Sequence, residues 1–349
     1  MSRNLFSLPY STGHPINEAI PAFFKTGGYS FSIFPQSLKN NGKGWLLNLS
    51  IILLLAGFFA CRPKQREANE TGKLRILATT GMIADAAKNI GGPYTDVVTL
   101  MGPGVDPHLY KASLRDLNKL TDADLILFNG LHLEGKMAGL LEKLERHKHV
   151  VAVSDGVPRS SLHASGDFGG AYDPHIWFSV KIWMQAAAEA GKAIEKADPA
   201  HKEYYIAHTK AYLNRLDSLD REVTLRMATV PKERRVLITA HDAFGYFGEA
   251  YHTEVKGLQG ISTVSEYGLR DVSGLVNFII ERDIRAIFPE SSVSPRALEA
   301  VVAGCKARGK TIRLGGTLYS DAMGANNTPE GTYEGMIRAN VKTITSALD

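Results

Sequence analysis

The feature that most constrains this chain is an unbroken helical stretch from Ala200 to about Met227. Apolar residues recur near helical spacing at Tyr205, Ala207, Tyr212, Leu213, Leu216, Leu219, Val223 and Leu225. Asp198-Pro199 precedes the stretch and Pro231 follows it, so both ends are marked. The pattern predicts a helix of about seven turns, roughly 40 Å long. Such a helix joins two lobes stiffly, as a Gly/Ser-rich linker would not.

The flanking halves share one rhythm. In the first, short apolar runs begin at Leu74, Asp96, Ala123 and His149. In the second they begin at Arg235, Glu254, Ala286 and Thr311. Helical patterns lie between them, at about Met82–Ile90, Val272–Arg282 and Pro295–Arg308, and Lys181–Lys196 is rich in good helix formers. Short apolar strands alternating with amphipathic helices predict an α/β fold of two lobes, each a mainly parallel sheet flanked by helices. The lobes are placed at 73–198 and 231–349, with the linking helix at 199–230. At 349 residues the chain has room for both cores.

The N-terminal part reads differently. Residues 1–44 lack clear periodicity, and no Met occurs between Met1 and Met82. This stretch is taken as an extension ahead of a true start at a non-Met codon. Lys39 and Lys43 then precede an apolar run from Trp45 to Ala60, which Cys61 closes. A basic flank and a short apolar core describe a secretory signal. With the cysteine at its end and polar residues 62–72 as a tether, segment 45–61 resembles a bacterial lipoprotein signal. The resemblance implies lipidation of Cys61, although Phe58 and Phe59 depart from the usual residues before that cysteine. Cys305, the second of two cysteines, falls in an amphipathic helix and reads as a small buried hydrophobe.

Charge adds little. Residues 1–60 carry four basic residues and one acid, and the remainder carries 36 basic and 35 acidic. A near-neutral globular part without basic runs argues against nucleic acid.

Four positions stand out for chemistry. Asp-Pro-His occurs twice, at Asp106-Pro107-His108 and Asp173-Pro174-His175. One copy is expected in only about a few hundredths of chains this size. His241 stands at a strand-to-helix switch, and Asp321 follows a strand. All four fall just past the carboxyl ends of strands, two in each half, where open α/β sheets bind ligands. Three imidazoles and a carboxylate suit Zn²⁺, Mn²⁺ or Fe²⁺. His132, Glu134, Asp106, Asp173 and Asp242 are candidates to orient a ligand imidazole from behind. Glu266 is a weaker substitute for a ligand, and His201 and His208 read as a solvated helix face.

Several segments carry a family resemblance: Ala78-Thr-Thr-Gly-Met-Ile-Ala-Asp, Met101-Gly-Pro-Gly-Val-Asp-Pro-His-Leu-Tyr, Asp173-Pro-His-Ile-Trp, Thr239-Ala-His-Asp-Ala-Phe-Gly-Tyr-Phe and Leu318-Tyr-Ser-Asp-Ala-Met-Gly. In colinear order from about Lys73 to Leu348, they resemble the zinc/manganese solute-binding proteins of ABC importers. The resemblance implies one transported divalent ion per chain, held between the lobes by His108, His175, His241 and Asp321. It also implies an extracytoplasmic, lipid-anchored monomer that works with a separate permease and ATPase, in the periplasm or at the cell surface. Zinc-dedicated members often carry a His-rich loop that this chain lacks, and manganese-specific members commonly have Glu where it has His241. The alternatives are a secreted metallohydrolase and a surface adhesin with a structural metal. The chain has no H-E-x-x-H and no phosphate-binding P-loop.

Overall fold

The computed structural model describes residues 72–165 and 171–349. Segment 45–61, read from sequence as a lipoprotein-type signal ending at Cys61, lies outside the described residues.

The first lobe is a four-stranded parallel sheet in the order β2-β1-β3-β4. Its strands are β1 (Leu74–Ala78), β2 (Thr95–Thr99), β3 (Leu125–Phe128) and β4 (His149–Ala152). The helices α1 (Gly81–Gly91), α2 (Leu114–Asp122) and α3 (Ala138–Glu145) connect them. Next come α4 (Val180–Ala197) and the long α5 (Lys202–Ala228), whose 27 residues match the helix read from sequence.

The second lobe holds β5 (Val236–His241), α6 (Gly245–Tyr251), β6 (Glu254–Gln259), α7 (Leu269–Glu281), β7 (Ala286–Ile287), α8 (Arg296–Ala307), β8 (Arg313–Leu314) and α9 (Tyr333–Leu348). Parallel pairs β5-β6 and β7-β8 are bridged by Thr239 with Phe288. The resulting order β6-β5-β7-β8 repeats that of the first lobe.

Side chains alternate across each strand, and here the alternation builds the molecule. Ile76, Ala78, Leu125 and Leu127 from the first sheet enter a large central cluster, as do Leu237, Ala286 and Phe288 from the second. The helices α1, α4, α5 and α9 fill the same cluster with Met82, Ile83, Trp183, Tyr205, Tyr212, Leu216 and Tyr333. The opposite faces feed two outer clusters. Leu77 and Ile126 pack with Leu120 and Leu141 on one side. Val236, Ile238 and Ile287 pack with Leu275, Val301 and the buried Cys305 on the other. One shared apolar core therefore ties the lobes together, and α5 runs through it rather than bridging open solvent.

Candidate metal centre

The carboxyl ends of both sheets meet around four buried side chains. His108 lies on the loop after β2, and His175 follows β4 just before α4. His241 is the last residue of β5, and Asp321 comes after β8. Each offers one donor atom, and these atoms all lie within 4.8 Å of one another. His108 Nε2 and His175 Nε2 are 3.3 Å apart. Asp321 Oδ1 is 3.4 Å from His175 Nε2, and its Oδ2 is 3.4 Å from His241 Nε2. Metal–nitrogen bonds of about 2.0–2.1 Å in a tetrahedron give donor separations of roughly 3.3 Å. Three of the donor pairs have that spacing.

Polar satisfaction points the same way. Both carboxylate oxygens of Asp321 and Nε2 of His241 are buried without a hydrogen-bond partner. Buried polar atoms left in this state are costly, and a cation among them removes the cost.

Each imidazole has its own support. Asp173 Oδ1 accepts from the His175 main-chain N–H (2.9 Å) and lies 2.7 Å from its Nδ1. Glu290 does the equivalent for His241: Oε1 accepts the main-chain N–H (2.9 Å), and Oε2 sits 2.6 Å from Nδ1 at ion-pair distance. A carboxylate behind Nδ1 fixes the ring and aims Nε2 forward. The Asp321 main-chain N–H donates to Ser292 Oγ (3.4 Å). Trp177 Nε1 donates to Ser320 O (3.0 Å), joining the His175 segment to the Asp321 segment.

The electrostatics follow from burial and these carboxylates. Burial opposes protonation of His175, but Asp173 and then Asp321 outweigh it and push the imidazole up to about 9. His241 is raised well above the ordinary range in the same manner, by Glu290 and Asp321 against burial. His108 has no such carboxylate. Burial lowers it to about 3, helped by repulsion from His175 and His241 and only partly offset by Asp321. Burial would raise Asp321, yet the two imidazoles hold it well below the usual carboxylate range.

The candidate orienting residues divide. Asp173 lies against the His175 imidazole. Asp106 holds the His108 main chain rather than its ring, with Oδ1 accepting that N–H at 2.8 Å. Glu134 reaches none of the four converging side chains. Its carboxylate instead accepts from Thr79 Oγ1 (2.7 Å) and from the N–H groups of Asn129 (2.8 Å) and Gly130 (3.3 Å), bracing the ends of β1 and β3. Asn129 Nδ2 then donates to Pro174 O at 3.0 Å, one link short of His175. His132 sits in the left-handed region on the following turn and lines a separate surface cavity of the first lobe. Asp242 is half-buried, and its main-chain N–H donates to Gly260 O. Glu266 is exposed, away from the four donors. Glu290 was missed. It stands at a strand end like the ligands, after Ala286-Ile-Phe-Pro, but no histidine beside it in sequence marks it out.

The chain also resembles known proteins in sequence and fold. Residues 76–347 match the family model of ZnuA, the periplasmic component A of a zinc-uptake complex. The chain is 51% identical over 276 residues to the manganese-binding lipoprotein MntA of Bacillus subtilis, covering 79% of this chain and 90% of the relative. It is 46% identical over 283 residues to the zinc-binding protein TroA of Treponema pallidum, covering 81% and 91%. The solved structure of periplasmic TroA superposes with a TM-score of 0.77, covering 79% of this chain and 99% of that one. Fe(III)-bound YtgA of Chlamydia trachomatis is 27% identical with a TM-score of 0.71, covering 79% and 98%. The chain is a member of the ZnuA family, the solute-binding proteins of metal ABC importers.

Proposed function

We propose that this protein captures one divalent transition metal outside the cytoplasm and delivers it to a membrane permease, with His108, His175, His241 and Asp321 as ligands. The observation that carries the assignment is the convergence of four buried donors within 4.8 Å of one another, three of whose atoms have no hydrogen-bond partner. Asp173 and Glu290 orient His175 and His241. The boundaries 73–198 and 231–349 for the lobes and 199–230 for the linking helix belong to the same reading.

Four protein donors leave no open position for an activated water, so the role is capture rather than hydrolysis. The permease and ATPase are other chains, and this chain acts as a monomer. Cys61 carries the lipid anchor. MntA of Bacillus subtilis, a relative in this family, is named a lipoprotein. Among the described residues no helix is long and apolar enough to cross a membrane.

The named relatives divide over the metal, being described as manganese-binding, zinc-binding and Fe(III)-bound. Our reading is a site that takes both zinc and manganese. Intrinsic affinity favours zinc. Both Asp321 oxygens face imidazoles, so the carboxylate can give two bonds to an ion that prefers more oxygen donors, as manganese does.

The test is competitive Zn²⁺ and Mn²⁺ binding to the full chain in detergent, beside Asp321→Ala. One tight equivalent, weakened more than about 100-fold in the variant, is expected, since loss of a ligand exceeds the 10–100-fold cost of losing an orienting partner. Absence of stoichiometric binding by the folded wild type would refute the assignment.

A further inference from the structure

His108 is held unlike the other two histidines. Asp173 and Glu290 each grip both the main chain and the ring of their histidine, but Asp106 grips only the main chain of His108. No side chain among the described residues hydrogen-bonds Nδ1 of His108. The second oxygen of Asp106 is directed elsewhere. Its Oδ2 accepts from Thr263 Oγ1 at 2.6 Å, and Thr263 belongs to the opposite lobe.

The two loops in contact are equivalent in the repeated strand order. The loop carrying Asp106 and His108 leaves β2, an outer strand of the first sheet. The loop carrying Thr263 leaves β6, the corresponding outer strand of the second. Each arches over the carboxyl end of its sheet. Both Asp106 and Thr263 are half-buried, so their short charge-assisted bond is only partly exposed to competing water.

Resting on the assignment of His108 as a ligand, we infer that Thr263 is a positioning residue for metal retention: through Asp106 it holds the His108 loop against the second lobe, so that His108 stays on the ion only while the lobes are clasped at this point. The other three ligands are anchored by contacts that do not involve Thr263. Breaking the clasp leaves them in place and frees the fourth to leave first, which opens the shell to water.

The experiment measures metal release from the full chain in detergent. The protein is loaded with Zn²⁺ and chased with excess chelator, for wild type, Thr263→Val, Thr263→Ser and Asp321→Ala. Thr263→Val keeps the shape and removes the donor. Release on the order of tenfold faster is expected, the scale of one hydrogen bond to a charged group. Thr263→Ser restores the donor and should release at nearly the wild-type rate, which a packing role for Thr263 does not predict. The visible spectrum of bound Co²⁺ should be unchanged in Thr263→Val, because the ligand set is the same. Wild-type release by Thr263→Val, or equal acceleration in Val and Ser, would overturn the inference. Should Thr263→Val fail to fold, Asp106→Asn, which weakens the same bond, takes its place with the same expected acceleration. Asp321→Ala separates the two levels: if it retains zinc as wild type does, the ligand assignment itself fails, whatever Thr263 does.

Discussion

The two lobes share a strand order but hold the four converging side chains differently. In the second lobe His241 is the last residue of β5, paired with Gln259 of β6, and Glu290 bridges to Leu318 just before Asp321. His241 and its supporting Glu290 are thus part of the sheet's own hydrogen-bonded frame, and Asp321 follows three residues after Leu318. In the first lobe both ligands stand on loops, well past β2 and β4. His175 regains rigidity from Asp173 and from the buried Trp177 beside it. His108 does not. The comparison teaches that one sheet can present its donor within its own frame while its counterpart presents one on a less supported arm.

The largest effect that sharpens this contrast concerns the carboxylates behind the rings. Glu290→Gln and Asp173→Asn each keep an acceptor for the main-chain N–H but weaken the hold on Nδ1. Each is expected to cost roughly 10–100-fold in zinc affinity, measured by chelator competition. Gln keeps the acceptor for the His241 main-chain N–H, so the Glu290 variant should still fold without metal, losing only the part of apo stability that the His241–Glu290 ion pair supplies. If neither variant changes affinity, ring orientation is set by packing alone, and the difference between lobes loses its cause.

These carboxylates also account for what the sequence revealed. The four converging side chains were legible because Asp-Pro-His repeats and because His241 and Asp321 follow readable strands. The long helix was legible from its periodicity and its flanking prolines, and the structure starts it at Lys202 and ends it at Ala228. Glu290 was not legible, because its partner His241 is distant in the chain and meets it only when β5 and β7 lie side by side. Glu134 misled for the opposite reason. It is near the right strand end in sequence, but its carboxylate is consumed by Thr79, Asn129 and Gly130. The shared core was equally hidden, since alternation along β1, β3 and β5 shows two apolar faces without saying which of them meets the other lobe.

The next effect depends on pH. His175 titrates near 9 in the folded apo protein against about 6.5 unfolded. A raised value stabilises the fold fully below about pH 6.5, and that stability is lost as pH rises through about 9. His241 acts in the same direction. His108, lowered to about 3, acts only below pH 6.5, where the unfolded chain takes up the proton first and stability falls with falling pH. The contribution of the three imidazoles to apo stability should therefore peak near pH 6.5. Metal binding displaces the protons, so zinc affinity should rise between pH 6.5 and 9 by up to about tenfold per unit for each proton lost. Thermal melts of apo and zinc-loaded protein should diverge over that window, and calorimetry in buffers of different ionisation enthalpy should count the protons released. Parallel melts with no proton release would mean that the imidazoles are already neutral in the apo protein.

The smallest effect tests how the arm is held at its far end. The loop bearing His108 runs into α2, where Ser113 caps the helix in a reciprocal box with Asp116. Asp116 Oδ2 accepts from Ser113 Oγ (2.6 Å), Tyr110 OH (2.7 Å) and the Ser113 N–H (3.0 Å). The Ser113 hydroxyl leads the interactions that hold this carboxyl below its usual range, against burial. Its stabilisation is therefore present above about pH 4 and is lost as the solution is acidified through the lowered value. Ser113→Ala should cost about 1 kcal/mol of stability in urea melts, the usual worth of such a cap. Tyr110 and the Ser113 N–H still grip Asp116 in that variant, so the loop keeps its exit from the cleft. If the arm is governed at its metal end, zinc release from Ser113→Ala should match wild type, and its effect should add to that of Thr263→Val in the double variant. Acceleration by Ser113→Ala equal to that by Thr263→Val would place control of the arm in its own lobe instead of across the cleft.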